Sequence, residues 1–314
     1  MFILWKEKVI YMRQFEAICS RNLKIYLRDK GSIFFSFLSM LIVIVLMLIF
    51  LGDVTVDGVL SAVEHIPGRN ADNDLEAANN IIFIWTCAGI LAINGATVSL
   101  AFYSNMIKDR NGNRLNSIMV MPISRGIIVA GYIFSAWIIS IVMGMIAFVI
   151  MEIIGIMKGI SPFTFEATIQ ILLITLLNSL VYSSVMYFFA SIIKTESAWS
   201  GFGIVVGTLV GFLGGIYFPI GSLSDTVANV VKCFPMIYGT ALYRKVMLAP
   251  LETSFFEGCP EPVREIFDEQ MGINLTIFEK SLSMNKQIVI LLGVGILFAL
   301  LSLVYIRFSK KSDR

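Results

Sequence analysis

The stretch Ile127–Ile154 reads IIVAGYIFSAWIISIVMGMIAFVIMEII, and its one charged residue, Glu152, stands near its end. A helix rises about 1.5 Å per residue, so about 20 such residues cross a hydrocarbon core roughly 30 Å thick. Unpaired backbone amides are costly in lipid, so a run this long has to be helical; a membrane barrel would show alternating segments of about ten residues instead. Comparable runs lie at about Gly31–Leu51, Ile81–Ser104, Ala167–Ile193, Ser200–Phe218 and Ile288–Phe308. Hydrophobic residues form 57% of the chain and charged residues 15%, against about 45–50% and 25% in soluble proteins. The sequence therefore predicts an all-α, polytopic membrane protein with six transmembrane helices.

Basic residues set the expected orientation. Seven precede the first span (Lys6, Lys8, Arg13, Arg21, Lys24, Arg28, Lys30), four lie in the second loop (Lys108, Arg110, Arg114, Arg125), and four close the chain (Arg307, Lys310, Lys311, Arg314). The first loop has only Arg69 and the third only Lys158. Basic residues near helix ends resist translocation, which places both termini in the cytoplasm of a multi-pass plasma-membrane protein. The expected organisation is a cytoplasmic N-terminal segment (1–30), a six-helix transmembrane domain (31–308) with a cytoplasmic loop at 105–126 and an outer loop at 219–286, and a cytoplasmic tail (309–314). Met1–Trp5, followed at once by Lys6 and Lys8, lacks a cleavage pattern and does not read as a cleavable signal.

Several segments carry further expectations. Met12, Phe15, Cys19, Leu23 and Tyr26 recur at three- and four-residue steps against Arg13, Glu16, Arg21, Lys24 and Arg28. This predicts an amphipathic interfacial helix over about Tyr11–Asp29, a pattern that serves a plain basic anchor equally well. Gly203, Gly207, Gly211 and Gly215 form a small-x-x-x-small row in the fifth span, suited to close packing within the chain or against a second chain. Pro219 and Pro235 break the backbone after that span. Val227, Val230, Val231 and Phe234 repeat at helical spacing between them, which predicts re-entrant outer helices between the fifth and sixth spans. Asn94, Thr97, Asn178 and Tyr182 are polar residues within spans; they either line a path or join helices by hydrogen bonds.

Other chemistries lack their groups. A phosphate-binding loop requires a Gly-Lys pair, which the chain does not contain, so no ATP site of that kind exists in it. The single histidine, His65, lies in an acidic loop, and the spans hold no acid–base relay. A net charge of +2 gives no case for nucleic-acid binding. Four cysteines show no metal spacing; Cys233 and Cys259 are either a bridge or two free thiols.

Two motifs resemble a known family. Asp109-Arg110-Asn111-Gly112-Asn113-Arg114-Leu115-Asn116, followed by Met121-Pro122-Ile123-Ser124-Arg125, is similar to the coupling segment of ABC transporter permease subunits of the type-2 exporter kind. Phe218-Pro219-Ile220, then Pro235-Met236-Ile237-Tyr238 leading to Arg244, resembles the outer gate region of the same family. Asn116 stands where the family usually has Glu, and Ser224 and Asp225 where it commonly has a further Pro. The resemblance spans the six-helix layout from Met12 to Arg314. It implies a permease subunit that forms an export path as a homo- or heterodimer, with no cofactor of its own. A separate ATP-binding subunit would bind ATP and magnesium and dock on Asp109, Arg110, Gly112, Arg114, Asn116, Pro122, Ser124 and Arg125. The family mostly exports drugs, lipids, peptides or glycans, and the apolar, uncharged spans of this chain suit a hydrophobic or amphiphilic cargo (drug, antibiotic peptide or lipid) better than a sugar chain. A membrane assembly or sensor protein without transport would share the same topology.

Overall fold

The computed structural model describes residues 2–46, 52–64, 66, 69–112, 123–277 and 280–309. In chain order its helices are α1 (Phe2–Arg28), α2 (Lys30–Leu46), α3 (Gly52–Ser61), α4 (Ala71–Asn111), α5 (Arg125–Met157), α6 (Phe165–Ile192) and α7 (Glu196–Leu213). A 3-10 turn (Ile220–Ser222), α8 (Asp225–Lys232), α9 (Pro235–Met247), α10 (Ala249–Phe255) and α11 (Glu261–Gln270) follow. A two-residue hairpin, β1 (Thr276–Ile277) with β2 (Lys280–Ser281), pairs Thr276 with Ser281 before α12 (Met284–Ser309) closes the described chain. Among the described residues, α4, α5, α6, α7 and α12 are long and apolar enough to cross a membrane. The molecule is thus a polytopic, all-α membrane protein. Of the first expected span, α2 covers residues up to Leu46, and 47–51 lie outside the described residues.

Local chemistry sets the helix starts. Asn70 caps α4 by accepting the Asp72 and Asn73 amides at 3.0 and 3.4 Å. Asp72 and Asp74 sit in the first turn of α4 and Lys108 and Arg110 in its last, each charge opposing the helix dipole at its end. Ser124 accepts the Ile127 amide at 3.4 Å and is the N-cap of α5. Thr164 and Thr195 cap α6 and α7 in the same way, at 3.2 and 3.3 Å. Pro235 opens α9, where its fixed φ suits a first helical turn and its missing amide is not needed.

The bundle is organised around α4, every residue of which is buried from Ile81 to Ala92. It packs against α5, α6 and α9, and also meets α3 and α7. Two apolar cores run along it. One joins its first half to α3, α9, α10 and α11, and the other joins its second half to α1, α5 and α6. The chain therefore has two dissimilar ends. At the tail end α4 finishes, α5 begins, and α1 and the last turns of α12 come alongside; at the cap end α9 and α10 pack on α4, α8 joins α9, and α11 meets the 3-10 turn.

Several boundaries differ from those read in the sequence. The N-terminal helix begins at Phe2 rather than near Tyr11, and its buried face is Ile18, Cys19, Asn22 and Tyr26, while Met12 is exposed. The second span extends from Ala71 to Asn111, so Asn105–Asn111 is helix where a loop was expected. Asp109 and Arg110 find partners on neighbouring helices, which stabilises two further turns. The four glycines do not form one helical row. The last of them, Gly215, lies beyond Leu213 in a left-handed turn at φ 61°, a conformation glycine adopts without penalty.

Candidate functional site

Three arginines bind the helix ends at the tail end. Arg21 of α1 donates to the Asp109 carboxylate of α4, which is itself buried, and to Asn22 Oδ1 at 3.1 Å. Arg110 turns back onto the carboxyl end of α6 and donates to the carbonyls of Ala190, Ser191 and Ile193 at 3.2, 3.5 and 2.9 Å. Those carbonyls have no partner within their own helix, and a cation there also opposes the dipole. Arg125 donates to the Ile306 carbonyl near the end of α12 at 2.7 Å. Gly112 closes α4 through its amide to the Lys108 carbonyl at 2.9 Å. Asp109, Arg110 and Arg125, expected to face a partner, are thus committed within the chain in this state. Arg114, Asn116 and Pro122 lie outside the described residues.

A different arrangement holds the cap end. Gly215 turns the chain after α7, Phe218 is exposed, and Pro219 leads into the 3-10 turn. Tyr238 on α9 donates its hydroxyl to the Lys232 carbonyl at 2.6 Å, tying α9 to α8. Arg244 on the same helix is 0% exposed. It donates to the Gly215 carbonyl at 2.6 Å and to the Met271 carbonyl at 3.1 Å, and its guanidinium lies 3.9 Å from the centre of the Trp85 ring. Trp85 donates to the same Met271 carbonyl at 2.8 Å. The cation is therefore held by two backbone oxygens and an aromatic face, with Arg244 Nε enclosed and unpartnered. Among the described residues no ion pair to Arg244 occurs.

Between the two ends lie the polar residues of the spans. Asn178 is buried and donates to the Ala92 carbonyl at 2.7 Å. Its Oδ1 is enclosed without a partner, 2.6 Å from where a Cβ on Gly239 would stand. Asn94 donates to the Ser140 carbonyl at 3.3 Å, and Thr97 reaches the Ile93 and Asn94 carbonyls of its own helix at 3.3 Å. Tyr182 is buried with its hydroxyl unpartnered. Tyr243 joins α9 to α6 through Thr175 Oγ1 at 2.8 Å.

The glycines of α7 divide between two settings. A Cβ on Gly211 would stand 2.3 Å from the Tyr217 ring, so that glycine admits a side chain of its own chain. One on Gly203 would meet Leu100 at ordinary contact, 3.4 Å, and one on Gly207 would meet open space. Ile204, Val205 and Leu209 are exposed beside them, Ile204 at 70%. Cys233 and Cys259 are both free thiols. Arg21, Trp85 and Met271 are the contributors that sequence reasoning missed as site residues. Two of them act through long-range contacts, and Met271 contributes only a carbonyl.

The sequence model of the ABC-2 family transporter protein covers residues 60–304. The chain belongs to the ABC-2 family. No individual curated protein matches it. The matched region runs from the end of α3 into α12 and includes both the tail-end arginines of α4 and α5 and the Arg244 cluster. As an ABC-2 permease the chain is a membrane component of an ABC transporter.

Proposed function

We propose that this ABC-2 permease forms, with a second permease chain, the export path of an ATP-driven transporter whose ATP-binding subunit is a separate protein. One observation carries this reading. α4 ends and α5 begins at the tail end, where Arg21, Arg110 and Arg125 join α1, α6 and α12 to these two helices. A force on the segment joining them acts at once on five helices. The tail end, with both termini, faces the cytoplasm in this reading, as the basic residues of its loops favour.

The docking contacts fall to residues 113–122 together with Ser124, with α1 alongside. Asp109, Arg110 and Arg125 serve as positioning residues that pass the partner's movement to the helices they hold. ATP and magnesium belong to the partner. The second permease chain packs against α7 at Gly207, which is open, rather than at Gly211 and Gly215, which are occupied within the chain; a Cβ on Gly203 would already touch Leu100. Asn94, Thr97, Asn178 and Tyr182 border the path once the helices part. The free Asn178 Oδ1 and Tyr182 hydroxyl then meet a mostly apolar cargo that carries a few polar groups.

The test is reconstitution in vesicles with and without the ATP-binding subunit. Alone, the permease moves no solute uphill; with its partner and ATP it exports an amphiphile. Arg114→Glu abolishes co-purification of the ATP-binding subunit and leaves the melting temperature of the permease unchanged. Accumulation against a gradient by the permease alone, or full association in that variant, overturns the reading.

A further inference from the structure

The cap end encloses two carboxylates on helices that are not among the long apolar ones. Glu252 on α10 is 3% exposed and Asp268 on α11 is 8% exposed. Arg264, on α11, brings Nη2 to 3.3 Å from Glu252 Oε2, and its own side chain is 36% exposed, so water weakens its charge. Lys245 of α9 is engaged elsewhere, donating to Asn274 Oδ1 at 3.1 Å. Asn274 in turn donates to Asp268 Oδ2 at 3.0 Å. Glu261 and Glu265 add negative potential at Asp268 from its own helix, and Asp74 and Arg69 at the start of α4 are paired with each other. Glu252 Oε1 and Asp268 Oδ1 are both enclosed and have no hydrogen-bond partner.

Two buried carboxylates thus share the half-exposed Arg264 guanidinium and the charge of Lys245, whose ammonium is bound to Asn274, and each keeps one oxygen bare. A buried anion of this kind is unstable unless it is paired or neutralised. A proton neutralises it by removing the charge from the bare oxygen. We propose that Glu252 is a proton-binding site of the cap, held in its protonated form by its burial and by the neighbouring Asp268 carboxylate, and that loss of this proton loosens α10 from α11.

Burial, and then the Asp268 charge, push the Glu252 carboxyl up to about 7, against the opposing pull of Arg264 and Lys245. Burial raises Asp268 as well. The folded-state value lies above the ordinary 4.5, so the folded cap binds the proton more tightly than the opened one. Its contribution to stability is complete below about 4.5 and is lost as pH rises through about 7. The effect has a route to the bundle. Phe256 packs on Phe267 with ring centres 4.9 Å apart, and Arg69, bound to Asp74 of α4, donates to the Phe255 carbonyl at 2.8 Å. In the orientation proposed above the site senses the outer medium, but the proton site itself does not depend on that orientation.

The experiment is an infrared pH titration of the full chain in lipid nanodiscs from about pH 5 to about pH 9. A protonated-carboxyl band should titrate near pH 7 in the parent protein, vanish in Glu252→Gln and move to lower pH in Asp268→Asn. Hydrogen exchange over residues 249–270, corrected for intrinsic chemistry, should quicken above neutrality in the parent and become independent of pH in Glu252→Gln. Should Glu252→Gln fail to fold, Arg264→Gln should move the band to higher pH. A parent protein with every carboxyl ionised by about pH 5.5 overturns the proposal, as does an unchanged band in Glu252→Gln or in Asp268→Asn.

Discussion

The tail end and the cap end both use arginine to satisfy backbone carbonyls, yet they bury it to very different extents. Arg21 keeps 32% of its side chain exposed, and Arg110 and Arg125 are also in part accessible, whereas Arg244 is sealed against Trp85. A half-exposed arginine can exchange a carbonyl for water at small cost. A sealed one cannot, because its partners and its own charge would be stranded. The tail end is thus built to be rearranged and the cap to be held until the packing around it opens.

Substitutions test that contrast most strongly at the cap. Arg244→Ala strands the Gly215 carbonyl, leaves the Met271 carbonyl to Trp85 alone and opens a gap beside that ring, and should cost about 2–5 kcal/mol in thermal unfolding of the detergent-solubilised chain. Arg244→Lys should recover little of this, because an ammonium lacks the planar fork that spans both carbonyls. Gly239→Leu should cost about 1–3 kcal/mol by driving α9 away from Asn178, read in the same melts. At the tail end Arg110→Ala should cost about 1.5 kcal/mol, since one charged donor serves three carbonyls that water can partly replace. Ser124→Ala, which removes the cap of α5, should cost about 1 kcal/mol. Asp109→Asn should cost about 0.5 kcal/mol, yet reduce coupled ATPase activity far more than it lowers stability. A loss at Arg110 as large as that at Arg244 would erase the distinction between the ends.

Much of the architecture was legible because lipid imposes it. Apolar runs from Ile127 and Ala167 became α5 and α6, Ser124 became a cap, and Pro235 opened a helix as its ring requires. The limits of α4 were not legible. Asn105–Asn111 is polar and reads as solvated connector; it stays helical because Asp109 meets Arg21 and Arg110 meets the end of α6, partners 88 and about 80 residues away in sequence. The exposed and buried glycines of α7 looked alike for a similar reason, since the Tyr217 ring that fills the notch at Gly211 arrives from beyond the helix end. The burial of Arg244 left no trace in local pattern, because an arginine beside Tyr243 and Lys245 looks like any surface position, and its acceptors are main-chain atoms without sequence identity. The carboxylates of α10 and α11 were equally silent, each lying in an ordinary charged amphipathic stretch.

The 41 residues of α4 amount to a rod about 60 Å long, twice the thickness of the oily layer it crosses. Such a rod pivots like an oar. A swing of only about 10° around its midpoint would carry the blade near Arg69 and the handle near Asp109 some ~5 Å in opposite directions.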